Sequence, residues 1–446
     1  MAPAQSHASP KGGRVVKLRS WSRRRHPLLL LAVASSVACR ADVPREESPR
    51  APQVTSATDT PAVDTLASAR DVADTSAAAP PVDATPVQTT LVTLETSGDG
   101  PLSRVVGGLL TEREIVLAEA STARLHFYDR TTGRFVRSAG RPGSGPGEFR
   151  QLAWVQRVGQ AIYVWDWELR RLSVWSVDGT FLRTEELVGE PGESPPEPIA
   201  VFADGTVLAE RVVPGGGFSA GGGVERPPEP MVIAPRQQLS WHAADGAYRA
   251  TLRAYRGSES FVAPNGGGGA TVTGALFGRQ AAVAVSGSTF VVLSSEADSV
   301  VQYASDGTVR RRLRPPPSPA VRVQRADVQR ERARLPAPQG PLNFTAVFDR
   351  QTPPTHFPAF GWNAPRSVPL AGASDGSLWL LRYGGVRSRE TVYLRFSPRG
   401  ELLDSLQHPT MARLLDADGD LVLLATADAD GAEQVVLIRR ERRGAR

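Results

Sequence analysis

The hydrophobic pattern of this chain is short apolar runs with alternating partners, cut at regular intervals by glycine. Phe127 and Tyr128, Trp175, Trp241, Tyr303 and Phe396 are followed within a few residues by Gly133, Gly179, Gly246, Gly307 and Gly400, and alternation resumes after each glycine. A turn glycine between two alternating runs predicts a β-hairpin, because glycine supplies the positive φ that tight turns need. A second family of turns, at Gly159, Gly205, Gly287, Gly376 and Gly419, falls between the first and leads into the most apolar runs, at 161–165, 206–209, 289–293, 377–381 and 420–424. The run 115–118 is a sixth, entered through 111–114 without glycine. No stretch between 90 and 320 carries a helical period. Recurrence of this kind predicts a repeat architecture and an all-β fold.

With four strands, a to d, in each unit, the second turn family joins a to b six times and the first joins c to d five times. The last unit stops after its c strand, at 434–438, while the run 90–94 is left unassigned at the other end. A ring in which this N-terminal strand completes the last sheet accounts for both and leaves no sheet edge open at the junction. The expected architecture is therefore six four-stranded blades over 90–446. Two stretches carry a resemblance that agrees. Gly143-Ser144-Gly145-Pro146-Gly147-Glu148-Phe149 resembles the glycine-rich blade linker, and 162–166 with 171–175 the b–c hairpin, of NHL-like six-bladed β-propellers of bacterial envelope proteins. The resemblance covers about two blades. It implies the fold and says little of activity, since one fold hosts many functions.

Charge changes the picture only at the N-terminus. Of 52 basic residues seven lie in residues 1–38, which contain no acid, and the remainder of the chain has 45 basic against 46 acidic residues. The formal charge of +6 thus belongs to the leader and argues for no nucleic-acid partner. A basic segment, a short apolar stretch at 28–34 and small residues up to Cys39 predict a secretion signal rather than a membrane span. Ser36-Val37-Ala38-Cys39 resembles a bacterial lipobox with Ser36 where leucine is usual, which implies cleavage before Cys39 and a membrane partner through lipid on its thiol. Arg40 in place of aspartate after it resembles the outer-membrane pattern. Segment 39–89 has no aromatic residue and is rich in Ala, Pro, Thr, Asp and Ser. It cannot bury enough apolar surface to offset its ordering entropy, and is expected to be a disordered tether with a reach of about 40 Å.

The candidate chemistry lies in the connections. The a–b and c–d turns are short, whereas b–c and d–a segments, which emerge on the opposite face, hold insertions at about 213–237, 257–279 and 315–366. Insertions gathered on one face of a repeat protein mark its binding side. The largest predicts a helix at 323–335 with Arg325 among its basic residues, followed by Phe344, Phe348, Phe357, Phe360 and Trp362. These aromatics suit a recognition loop or a plug over the ring. Trp154, Trp165 and Trp167 suit either a stacking platform or packing between blades. Glu119, Asp166 and Glu296, with Glu168 and Asp298 beside them, recur near the b–c hairpins and are expected to bond backbone amides or arginines, Asp166 with Arg171 among them. The expected inner strands hold one carboxylate, Asp416, and no histidine, so no metal or other cofactor is expected. Gly266 to Gly269 lack the Lys and Ser/Thr of a phosphate loop. The expectation is a non-catalytic binder of a polypeptide, glycan or small molecule at the long-loop face, with ligand contacts from Trp165, Trp167, Arg325, Phe357 and Trp362. A metal-dependent hydrolase or lactonase using loop ligands, and a purely structural envelope protein, are the alternatives.

Overall fold

The computed structural model describes residues 87–96, 100–213, 226–265, 269–296, 300–335, 344–361, 369–384, 388, 390–427 and 432–441. Cys39, the leader, most of the tether, Asp298 and Trp362 lie outside the described residues.

Six four-stranded antiparallel sheets follow one another along the chain. Their inner strands are Val105–Leu110, Leu152–Val158, Glu197–Val201, Ala282–Ser286, Leu370–Gly372 and Ala412–Asp418, here blades 1 to 6. In blade 6 the outermost strand is Val87–Thr93, paired antiparallel to Glu433–Glu441, so the N-terminal strand closes the ring as its sequence position requires. All ten turn glycines adopt φ between +57° and +89°. The aspartate before several of them has its own task. Asp178, Asp204, Asp245, Asp306 and Asp375 each accept the backbone N–H two residues on, at 2.9–3.1 Å, which closes the turn.

One face of each sheet packs on the next, and six apolar clusters fill the six spaces between successive blades. Apolar burial of this kind supplies the main favourable term, about 1.5–3 kcal/mol for each large side chain. At the ring's centre the inner strands approach closely where glycine allows it. A Cβ on Gly372 would meet the Val285 carbonyl oxygen at 2.1 Å, and one on Gly107 would meet Val155 Cγ1 at 2.7 Å.

The blade linker behaves as its resemblance implies, with one correction. Phe149 stacks on Trp175 at 5.5 Å, and Arg171 donates to the carbonyls of Ser144, Gly145 and Glu148. Arg171 therefore holds the linker rather than pairing with Asp166, because three convergent carbonyls satisfy its planar fork.

The insertions are more ordered than a loop reading suggests. Met231–Ile233, from the b–c segment of blade 3, pairs with Ser260–Pro264, which pairs with Ala270–Gly274 from the following d–a segment. Two insertions thus build one accessory sheet, and the c strand of blade 3 starts at Arg236 within the expected insertion. The expected helix spans Arg325–Arg334, followed by a short turn of helix at Phe344–Phe348. No described helix is long and apolar enough to cross a membrane.

Candidate functional site

Blade 3 departs from the regular ring. Its inner strand contains Pro198, which has no N–H to donate, at the register shift that the inner strands of blades 1, 2 and 6 also show. The strand is linked to blade 2 by side chains. Gln156 Nε2 donates to the Val201 carbonyl at 2.7 Å and its Oε1 accepts the Val201 N–H at 2.8 Å, while Trp154 Nε1 donates to the Pro198 carbonyl at 2.9 Å. Across the ring, small residues on blade 4, Ala281, Ala282 and Ala284, leave space opposite. At the ring's centre lies a cavity of about 1360 Å³, lined by inner-strand residues of all six blades and reaching the long-loop end of blades 2, 3 and 4.

Three tryptophans line it on the blade 2 side: Trp154, Trp165 and Trp167. Trp165 is 4 % exposed and packs against Leu187 and Ala209, whereas Trp167 is 38 % exposed at the mouth. The mouth is ringed by charges already in pairs. Arg211 meets Glu193 at 3.1 Å, Glu168 meets Arg150 at 2.9 Å, and Arg170 lies 3.6 Å from Glu197 while donating to the Pro195 carbonyl.

The blade 4 side of blade 3 carries Glu210, Gln237 and Tyr255. Val212 pairs with Gln237, and Gln237 with Tyr255, so the three strands present one row toward blade 4, with Glu210 two residues along on the same face. The Tyr255 hydroxyl donates to Glu210 Oε2. Burial raises the Glu210 carboxyl above the ordinary glutamate range, against the lowering effect of that hydrogen bond, and the Glu197 charge adds to the rise. Burial and the adjoining carboxylate raise the Tyr255 hydroxyl as well. Both shifts disfavour the charged forms, so a cation beside Glu210 would stabilise its carboxylate.

Of the expected contact residues, Trp165 and Trp167 line the cavity and two others lie elsewhere. Arg325 is exposed at the start of the helix. Phe357 is half-buried against Phe277, 4.9 Å between ring centres, and Tyr383, at 5.3 Å. Phe360 joins the core between blades 4 and 5, and Phe348 is also buried. Phe348, Phe357 and Phe360 thus pack within the fold.

The blade carboxylates divide. Glu119, 1 % exposed, accepts the Ser103 N–H at 2.7 Å and contacts His126 Nε2 at 2.9 Å. Burial pushes its carboxyl up, but hydrogen bonds from His126, Ser103 and Thr122 outweigh this and leave it lowered. Asp166 accepts the backbone N–H groups of Arg150, Gln151 and Leu169 at 2.6–3.0 Å. Glu296 differs: it is exposed and lies beyond the strand end, where Leu293 holds the register position that Glu119 and Asp166 occupy. Its own carbonyl, not its carboxylate, receives Arg279.

Asp416 lines the channel but is already satisfied. It accepts from the Leu110 N–H at 2.7 Å, the Ser374 N–H at 2.8 Å and hydroxyl at 2.7 Å, and the Ala417 N–H at 2.8 Å. The inner strands also hold Glu197 and Asp418, which the expected boundaries had left out or overlooked. Even so, among the described residues no three His, Cys, Asp or Glu side chains converge as metal ligands.

Glu210 was missed although the sequence carries a signal for it. Five residues past the a–b glycine the other blades place Val164, Val292, Leu381 and Leu424, all buried, and blade 3 alone places a charge there.

Residues 86–191 match a family model described as a 6-bladed beta-propeller. No curated protein matches the sequence significantly. Solved structures do match in fold. A member of the DUF4221 family from Bacteroides vulgatus is 9% identical with a TM-score of 0.42, covering 80% of this chain and 98% of its own. The PQQ-bound aldose sugar dehydrogenase from Streptomyces coelicolor is 16% identical with a TM-score of 0.42, covering 81% and 100%. A gluconolactonase from Xanthomonas campestris is 15% identical with a TM-score of 0.35, covering 81% and 98%. At such identities these neighbours speak to fold alone, and their differing activities transfer nothing to this cavity. Sheet count, ring closure and the matched family model agree: the chain is a six-bladed β-propeller.

Proposed function

We propose that this propeller is a ligand-binding protein of the cell envelope, held at a membrane by lipid on Cys39, and that its site is the part of the central cavity that opens at blades 2, 3 and 4. The observation that carries this reading is the cavity itself: about 1360 Å³, open on the long-loop side, with Trp154, Trp165 and Trp167 along blade 2 and Glu210, Gln237 and Tyr255 on the blade 4 side of blade 3. An apolar platform facing a few fixed polar groups is the general form of a small-molecule site. The ligand is accordingly a small amphipathic molecule or a short sugar chain, one side stacked on indole and the other hydrogen-bonded. Pairing of the rim charges among themselves leaves orientation to the polar row of blade 3.

The tether supports the localisation. A leader with the lipobox-like sequence ending at Cys39, followed by a segment without aromatic residues, suits a body that moves freely near a membrane surface. Cys39→Ser should abolish incorporation of a labelled fatty acid and release the protein from membranes; unchanged labelling would refute the anchor.

The test of the binding reading is recovery of the ligand. Protein purified gently from its native envelope should release, on denaturation, one small molecule in near-stoichiometric amount by mass spectrometry. Trp167→Ala should retain the fold and lose most of that occupancy. Undiminished occupancy in the variant would place the site elsewhere. The competing hydrolase or lactonase reading predicts stoichiometric calcium or zinc in the same preparation, lost together with a hydrolytic activity.

A further inference from the structure

The blade 3 wall of the cavity is short of donors. Gln237 Oε1 is buried and has no hydrogen-bond partner among the described residues. Glu210 receives the Tyr255 hydroxyl on Oε2, and its other oxygen has no partner among the described residues. The nearest cations are committed: Arg211 to Glu193, and Arg170 to the Pro195 carbonyl and toward Glu197. An unpaired buried acceptor costs about 1–3 kcal/mol, and more when the group is charged. Gln237 Oε1 is one such acceptor, and beside it the half-buried Glu210 carboxylate keeps one oxygen open to the cavity, so this wall lacks a donor. A ligand group with several N–H donors and a positive charge would supply it.

We propose that the end of the cavity between blades 3 and 4 receives the ammonium group of a small organic amine, with the Glu210 carboxylate accepting its hydrogen bond and the apolar wall covering its hydrocarbon body. This rests on the cavity being a ligand site, and it names the chemistry of one end of that ligand. A neutral hydroxyl could donate once, to one acceptor. An ammonium has three donors and also compensates the carboxylate's burial. An anionic ligand would face Glu210 without a free cation to offset it, so this end of the cavity selects against carboxylates and phosphates.

Benzylamine and benzyl alcohol, near-isosteric probes of opposite character, separate the possibilities when titrated into the intact protein by calorimetry. The amine should bind about 10- to 100-fold more tightly than the alcohol, the range for a hydrogen bond to a charged group. Glu210→Gln should bring the amine down to the affinity of the alcohol while leaving the alcohol unchanged, which also shows that the variant is folded. Tyr255→Phe keeps the carboxylate and should keep the preference for the amine, so a loss confined to Glu210→Gln cannot come from general damage to blade 3. Equal affinity for the two probes overturns the amine assignment but leaves the cavity a ligand site. Binding of neither at millimolar concentration overturns the amine assignment, and recovery of a native ligand then decides the broader reading separately.

Discussion

Blade 6 and blade 3 are built from the same four-stranded unit, yet the ring treats them in opposite ways. The inner strand of blade 6 is clipped on both sides. Asp416 holds the Leu110 N–H of blade 1 and the Ser374 N–H and hydroxyl before blade 5's second strand, and Arg413 donates to the Val105 carbonyl at 2.6 Å. The inner strand of blade 3 is held from blade 2 by Gln156 and Trp154, with Arg170 3.6 Å from Glu197 at its loop end, and that end opens into the cavity. The lesson is that the repeat sets the frame, while a few polar residues on inner strands decide where the ring is tight and where it admits a ligand.

The comparison breaks first at Asp416. Asp416→Ala would orphan several buried donors at once, a loss of about 3–5 kcal/mol in urea denaturation. Its charge has a separate signature. Burial pushes the Asp416 carboxyl up to about 6, well above the ordinary aspartate range, against the hydrogen bonds it accepts from Leu110, Ser374 and Ala417. The folded state therefore holds this proton more tightly than the unfolded chain. That contribution is full below about pH 4 and is lost as pH rises through 6, about 3 kcal/mol in all. Asp416→Asn should remove this decline between pH 4 and 6; an identical slope in variant and parent would contradict the assignment.

Phe360 tests the packing of the insertion. It is 6 % exposed in the core between blades 4 and 5, so Phe360→Ala should cost about 3–5 kcal/mol, while ligand binding in the folded fraction persists. Gln156→Ala comes next: losing two bonds to Val201 should cost about 1–2 kcal/mol and weaken ligand binding by loosening blade 3. Smallest is Arg325→Ala, exposed and remote from the cavity, with a change within about 0.5 kcal/mol and no loss of binding. A large binding defect from Arg325→Ala would move the site to the helix.

The ring was legible in the sequence because its cause is local. A turn glycine must take positive φ and the apolar strand after it must be buried, so counting turns such as Gly205 and Gly246 counts strands. The one unpaired run at each end then located the closure. The site was half legible. Trp165 and Trp167 stood out as aromatics next to a hairpin, but which of them packs and which stays open depends on blade 3, whose Val207 and Ala209 share a core with Trp165 while Trp167 is exposed. Arg171 was assigned to Asp166 by proximity along the chain, whereas a long side chain goes where acceptors converge, here on the linker carbonyls. The pairing of Met231–Ile233 with Ser260–Pro264 was invisible for a similar reason: three residues in an insertion have no periodicity to read.

The account places the ligand at blade 3 and not at blade 6 or the helical insertion, and amide hydrogen exchange with and without the recovered ligand tests this directly. It predicts the largest slowing of exchange in Glu197–Val201, Val207–Val212 and Arg236–His242, a smaller effect in Ala412–Asp418, whose Leu415 and Asp416 also line the cavity, and none in Arg325–Arg334. Protection centred on Arg325–Arg334, or on the turns at Gly159 and Gly419, would contradict it.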